Sequence, residues 1–326
     1  MNILLIGIDN AGLITPIVEE MRQQGHVVTF IENGEISRYD YLHPVERISN
    51  LISKALFKRN VKQERSWLST TQFLNGFTKD RHFDITILTN PDIYTAEHLT
   101  QIKTCTNRMI CHLWDSTLRM PNNIKNISLF DNVLSFDPQD VKKYGFTPVT
   151  NYYKKNLTPL QPNRNYDGDV FGIFSFDRER YAFITAFLDA NPDLKIKIMI
   201  YVDHHRKIKK IRDKRIEIIT KPITGDELLA ISSAYHCILD IGYQSQKGLS
   251  FRFFESLAYE QKIISNNNTA ETYPFFHPNN IFCITDTDLK VSPDFLTIPY
   301  HHISDEIKNQ YRLDIWVNKY IKKAML

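Results

Sequence analysis

The sequence predicts an α/β protein built from two Rossmann-like domains that face each other across a crevice. Short apolar runs alternate with amphipathic stretches from the first residues onward, the pattern of parallel strands joined by helices. The alternation breaks once, at the Pro-, Asn- and Asp-rich stretch "NLTPLQPNRNYDGD" (156–169), and then resumes. The 326 residues suffice for two domains.

The first domain is assigned to 1–155. "NILLIGI" (Asn2 to Ile8) is a continuous apolar run of the kind found in buried parallel strands. The loop "DNAG", a helix from Leu13 to Gln24 and the strand "HVVTFIE" complete a βαβ unit. Further strands are expected at "FDITILT" (83–89), "RMICHLW" (108–114) and "NVLSF" (132–136). A mostly helical insertion, 45–79, separates them; helical spacing puts Lys54, Lys58, Lys62 and Arg65 on one face and Leu51, Phe57, Val61 and Leu68 opposite.

After a linker at 156–168, the second domain runs from 169 to 303. Its strands are "VFGIFSF", "LKIKIMIYV", "HCILDI", "KIIS" and "NIFCI", with helices near Arg180 to Ala190, near Gly225 to Ala234 and across "GLSFRFFESLAYE". The segment 304–326 should be one closing helix, with Ser304 as N-cap, acids in its first turn and lysines in its last.

Composition narrows the function. The formal charge of +3 gives no global field for a nucleic-acid partner. Cys105, Cys111, Cys237 and Cys283 lack C-x-x-C spacing, and three lie in apolar runs, as buried reduced thiols do. The start "MNILLIGIDN" has no basic leader, and no run approaches the ~20 apolar residues of a membrane span. A cytoplasmic protein is expected, peripheral at the inner face of the plasma membrane where basic surfaces meet lipid.

"GIDNAG" (Gly7 to Gly12) lacks the middle glycine of a dinucleotide fingerprint and the Lys-Ser/Thr of a P-loop. It serves as a tight turn or as a backbone cradle, with Asp9 available as a base. Asp115 in "ICHLWDS" ends a strand at the crevice edge, where a transferase needs a group to deprotonate an acceptor hydroxyl; His112 is a further candidate. Strand-end capping accounts for Asp115 equally well, and Asp137 before Pro138 reads as an N-cap.

The stronger signal is "KGLSFRFFESLAYEQKIISNN" (Lys247 to Asn267). A helix opening at Gly248-Leu249 presents backbone N–H groups that favour an anion. Arg252 and Glu255, three apart, share a face of it. Arginine suits a phosphate and a carboxylate suits a ribose diol. An Arg–Glu pair that satisfies itself explains the same two residues.

This segment resembles the donor-site segment of GT-B glycosyltransferases, in the bacterial group with an R-x-F-E-x-L-A pattern. The resemblance implies that Glu255 holds the nucleotide ribose and that Arg252 lies near the diphosphate. "FGIFSFDRERY" resembles the phosphate-side loop of such enzymes and adds Ser175 and Arg180, beside Gly248 and Leu249 of the helix-opening turn. "HLWDS", "FDNVLSFDPQDVKKYGF" and "NYY" look like segments of capsule and lipopolysaccharide biosynthesis proteins, so the resemblance spans roughly residues 108–283.

Two positions depart from that pattern. Lys247 stands where retaining enzymes carry an acid, and Glu260 stands where a glycine is usual, which predicts a shifted turn. The implied activity is transfer of a sugar from a nucleotide-activated donor to a saccharide or lipid-linked acceptor in surface polysaccharide synthesis, without metal or other cofactor. Lys54, Lys58, Lys62 and Arg65 would face the acceptor. The alternatives are a sugar-nucleotide epimerase and a non-catalytic partner subunit on the same fold.

The D-x-D of "YDGDV" (Asp167, Asp169) reads as a solvated turn. The basic run "DHHRKIKKIRDKR" (203–215) reads as a solvated helix, or as one touching acidic lipid or a polyanionic acceptor.

Overall fold

The structure is a computed structural model that describes residues 1–326 apart from 10, 11, 38, 40, 42 and 162–164, with the side chain of residue 37 also left out. Asn10 and Ala11 of the "GIDNAG" turn, and residues 162–164 of the expected linker, lie outside the described residues. The chain divides into two compact units, Met1–Val149 with Val317–Leu326, and Thr150–Trp316. Their boundaries thus fall at residues 149/150 and 316/317, against the expected ends at 155 and 303.

Unit 1 runs β1 (Asn2–Gly7), α1 (Thr15–Gln23), β2 (Val27–Glu32), α2 (Asn33–Ser37), α3 (Pro44–Phe57), α4 (Val61–Phe77), β3 (Phe83–Leu88), α5 (Ala96–Lys103), β4 (Thr106–Leu113), β5 (Asn132–Ser135), α6 (Pro138–Tyr144) and β6 (Thr147–Pro148). Its six strands are ordered β2-β1-β3-β4-β5-β6 and pair in parallel. The order reverses between β1 and β3, the switch point where open α/β sheets bind ligands. The uninterrupted apolar runs of β1 and β3 are buried because helices cover the sheet; Leu4, Leu74, Phe83, Leu88 and Met109 share one core. Gly7 ends β1 because a Cβ there would lie 2.6 Å from Thr89 Oγ1, and Gly12 closes the turn at φ +65°.

Unit 2 runs β7 (Gly168–Ser175), α7 (Arg178–Ala190), β8 (Ile196–Tyr201), α8 (His205–Ile208), β9 (Ile216–Ile219), α9 (Gly225–Ser232), β10 (Tyr235–Asp240), α10 (Phe251–Tyr259), β11 (Lys262–Ser265), β12 (Ile281–Cys283), α11 (Pro293–Thr297) and α12 (Asp305–Asn309). The sheet order is β12-β11-β10-β7-β8-β9, with its switch point between β7 and β10. Phe253, Phe254 and Leu257 of α10 fill one side of this sheet, and Ile184 and Phe187 of α7 the other.

Three expectations are corrected. The 304–326 segment is two helices, α12 and α13 (Leu313–Met325), because Gln310 to Arg312 turn the chain so that Tyr153 N donates to the Tyr311 carbonyl and Leu313 N to the Tyr153 carbonyl. The basic run 203–215 is a single helical turn, α8, held by Lys207–Asp203 and Arg215–Asp213 ion pairs. The insertion 45–79 is a pair of helices, broken where Lys58 takes a left-handed backbone (φ 52°) and Asn60 caps α4. Lys54 therefore lies on α3, Lys58 at its end, and Lys62 and Arg65 on α4, not on one continuous face. Leu51, Phe57 and Leu68 are exposed rather than packed as an apolar surface. Strands β6 and β9 were not expected.

All four cysteines are free, with Cys105, Cys111 and Cys237 buried. Among the described residues no helix is long and apolar enough to cross a membrane.

Candidate functional site

In unit 2 the predicted residues gather at the switch point. Ser175 ends β7 and Asp240 ends β10, the two strands that flank it. Arg252, in the first turn of α10, reaches back across both. Its guanidinium donates to the Ile173 carbonyl of β7 at 2.9 Å, and its Nε lies 3.6 Å from the buried Asp240 carboxylate. The loop before α10 is clamped from two sides. Asn267 Nδ2 donates to the carbonyls of Lys247 and Gly248, and Asn151 Nδ2 to that of Leu249. Ser250 is the N-cap, and its side chain makes no capping bond, so the positive end of α10 is not neutralised by its own cap residue.

Arg180 enters from the first turn of α7, positioned by Asp177, which caps that helix through Glu179 N and Arg180 N at 3.0 Å. Its guanidinium stacks on the Tyr243 ring at 3.9 Å and reaches toward the Ser175 carbonyl. Burial pushes the Asp240 carboxyl up, while Arg252, Arg180 and the Ser250 hydroxyl pull it back.

Glu255 is the residue left over. It is half-buried on α10, and among the described residues its carboxylate accepts no hydrogen bond and forms no ion pair within 4 Å. Burial raises its pKa, against the longer-range pull of Arg252 and Lys154. The self-satisfied Arg252–Glu255 pair that the sequence allowed is therefore not formed; Arg252 pairs with Asp240 instead. The turn at Glu260 is not shifted. Glu260 itself adopts the left-handed conformation (φ 53°), anchored by Lys308 Nζ at 3.0 Å and His302 Nδ1 at 2.9 Å.

In unit 1 the candidates part company. Asp9 is a cap for α1: its carboxylate accepts from Ile14 N at 2.8 Å, Thr15 N at 3.0 Å and Thr15 Oγ1 at 2.5 Å. Burial acts to raise its pKa, but these bonds outweigh it and hold the carboxyl low, a poor state for a base. His112 is a core residue, 4% exposed, with Nδ1 3.0 Å from the Tyr320 hydroxyl. Burial pushes it down to about 3, so it stays neutral and structural. Asp115 is partly exposed and pairs with Arg119 at 3.2 Å.

The sequence reading missed Asp92. It lies in the 3-10 turn Pro91–Ile93 just past β3, at the switch point of the sheet, and is half-buried. Burial raises its pKa and the nearby Asp115 charge raises it further. The signal was "TNPDI", an Asn-Pro-Asp turn directly after a buried strand. Among the described residues no group of three or more His, Cys, Asp or Glu is arranged to hold a metal, and Asp169 instead accepts from Lys195 N at 2.8 Å as part of β7.

No family model matches the sequence, and no curated protein matches it. Solved structures do match across the whole chain. AviGT4, a glycosyltransferase involved in avilamycin A biosynthesis, is similar with a TM-score of 0.58 at 10% identity, covering 100% of this chain and 97% of its own. The UDP-GlcNAc 2-epimerase of Neisseria meningitidis, bound to UDP-GlcNAc, gives 0.56 at 10%, with 100% of both chains covered. The DNA-modifying β-glucosyltransferase, studied with and without uridine diphosphoglucose, gives 0.53 at 14%, again with 100% of both. The fold is of the two-domain GT-B type. At these identities the likeness extends to fold alone.

Arg252→Met should leave Asp240 buried and unpaired, costing about 3–5 kcal/mol of stability. Asp240→Asn in the same chain should recover much of it. Urea unfolding of the single and double variants measures both; an Arg252→Met protein as stable as wild type would remove the ion pair's structural role. His112 gives a pH test. The unfolded chain binds a proton at this residue near pH 6.5 while the folded chain refuses it down to about 3. Stability should fall as pH drops through that window, and His112→Gln should flatten the slope of melting temperature against pH there.

Proposed function

We propose that the protein is a glycosyltransferase that takes a nucleotide-activated sugar as donor and a saccharide or lipid-linked acceptor. The observation that carries this is Glu255, a half-buried carboxylate to which none of the described residues donates, beside a helix N-terminus at a switch point. Its two carboxylate oxygens suit the two hydroxyls of a ribose, which would meet them in place of water. The diphosphate would meet the first amides of α10 and Arg180. Arg252, with one N–H on the Ile173 carbonyl and its Nε facing Asp240, would contribute mainly its charge. These positive groups stabilise the departing diphosphate, so the transfer is proposed to run without a metal.

On the acceptor side Asp92 is proposed as the base, with Asp115 raising its pKa toward the working range. The acceptor hydroxyl loses its proton to Asp92 as its oxygen bonds to the anomeric carbon. The bond from that carbon to the diphosphate breaks, and the nucleoside diphosphate leaves with the electron pair. A role in capsule or lipopolysaccharide synthesis, in the cytoplasm, rests on the sequence resemblance. The same fold carries a UDP-GlcNAc 2-epimerase, so turnover of donor without acceptor is the competing activity to assay.

Calorimetry against UDP, GDP, dTDP, ADP and CMP should find one that binds saturably. Glu255→Gln should weaken that binding by about tenfold to a hundredfold, the worth of hydrogen bonds to a charged group. If no nucleotide binds the folded protein, the assignment is wrong. Asp92→Asn should cut transfer by about a hundredfold to ten-thousandfold with nucleotide affinity unchanged. Asp115→Asn should move the acid limb of the kcat/KM profile to lower pH, because it removes a charge that raises Asp92; an unmoved limb would exclude Asp92 as the base.

A further inference from the structure

Helix α3 is amphipathic the wrong way round for a packed helix. Its polar stripe faces inward. Asn50, 3% exposed, donates to the Tyr41 hydroxyl at 2.6 Å and accepts from Lys62 N on α4, while Glu46 pairs with Arg65 of α4 at 2.8 Å and accepts from the Tyr39 hydroxyl. The apolar residues are turned out: Val45 is 72% exposed, Ile48 57%, Leu51 62%, Ile52 51% and Leu56 71%. At 100° per residue these five span one side of the helix. Single exposed apolar residues need no explanation, but a contiguous stripe does.

The charge beside that stripe says what covers it. Between residues 43 and 65 stand six cations, Arg47, Lys54, Lys58, Arg59, Lys62 and Arg65, against two anions, Glu46 and Glu64. That is a local excess of four positive charges on a chain whose whole formal charge is +3. Arg59 and Arg65 are spent on Glu64 and Glu46. Arg47, Lys54 and Lys58 form no ion pair among the described residues, and Arg47 and Lys54 border the Leu51 edge of the stripe. A partner protein helix would need anions matched to these cations one by one. A bilayer with anionic headgroups satisfies the apolar stripe and the cations with a single surface.

We infer that α3 is an interfacial helix that seats unit 1 on an anionic lipid bilayer, with Val45, Ile48, Leu51, Ile52 and Leu56 in the acyl boundary and Arg47, Lys54 and Lys58 at the headgroups. This stands apart from the nucleotide reading and is tested without it. The full chain should co-sediment with phosphatidylglycerol-containing vesicles and much less with phosphatidylcholine alone, and high salt should weaken the binding. Ile52→Ser with Leu56→Ser should lower the partition coefficient by about tenfold, and so should Lys54→Glu with Lys58→Glu; circular dichroism and melting should show both folded.

The inference fails if the chain ignores anionic vesicles, or if neither pair of substitutions alters binding. It also fails if sedimentation in the absence of lipid shows a dimer that Ile52→Ser with Leu56→Ser dissociates, which would make the stripe a contact between copies.

Discussion

The buried contact between Arg252 and Asp240 is the constraint on which the candidate donor site depends. Asp240 ends β10 and Ile173 lies in β7, so one guanidinium ties together the two strands that flank the switch point. Because Arg252 belongs to the first turn of α10, the same contact sets the angle at which that helix leaves the sheet. Glu255 lies nearly one turn further along α10, and its placement follows from Arg252's anchorage. The asparagines that grip Lys247, Gly248 and Leu249 hold the other end of the turn. A carboxylate without a donor survives in this setting because α10 is held by groups that have already met their own needs.

Unit 1 solves a related problem differently. At its switch point Asp9 is consumed in capping α1, while Asp92 and Asp115 follow β3 and β4. Asp92 and Asp115 act on each other electrostatically, and like charges in one place push apart the states in which both are ionised. Burial and the nearby Asp115 charge both raise the Asp92 pKa, while Asp115 pairs with Arg119.

Most of the strand pattern could be read from the chain because both sheets are parallel and covered on their faces, which forces continuous apolar runs such as "NILLIGI" and "HCILDI". Of the two strands overlooked, β6 is only two residues long, and β9 is an edge strand whose short IEII run is interrupted by a charge. The insertion was legible as helix but not as two helices, since the break falls at Lys58, whose left-handed backbone has no glycine to announce it. For the site, spacing brought Arg252 and Glu255 to one helix, but could not tell that Arg252 answers to Asp240, which ends β10 on the far side of the loop before α10. His112 looked like a base because a histidine near a strand end is a common one; only its packing against Trp114 and Tyr320 shows it as core.

The engagement of Arg252 changes how charge is apportioned in the proposed transfer. If Arg252 were free, one guanidinium would bind the diphosphate directly and its loss would be felt mainly in donor affinity. With Arg252 committed to Asp240, that pair is close to neutral at long range, and the positive potential at the switch point comes mainly from Arg180 and the α10 amides. Arg180 is held against Tyr243 by its face, which leaves the edges of the guanidinium, where its N–H groups lie, directed away from the ring. An arginine stacked in this way loses little freedom on meeting a phosphate, so the part of the site that would carry the leaving group's charge is already in place before any donor arrives.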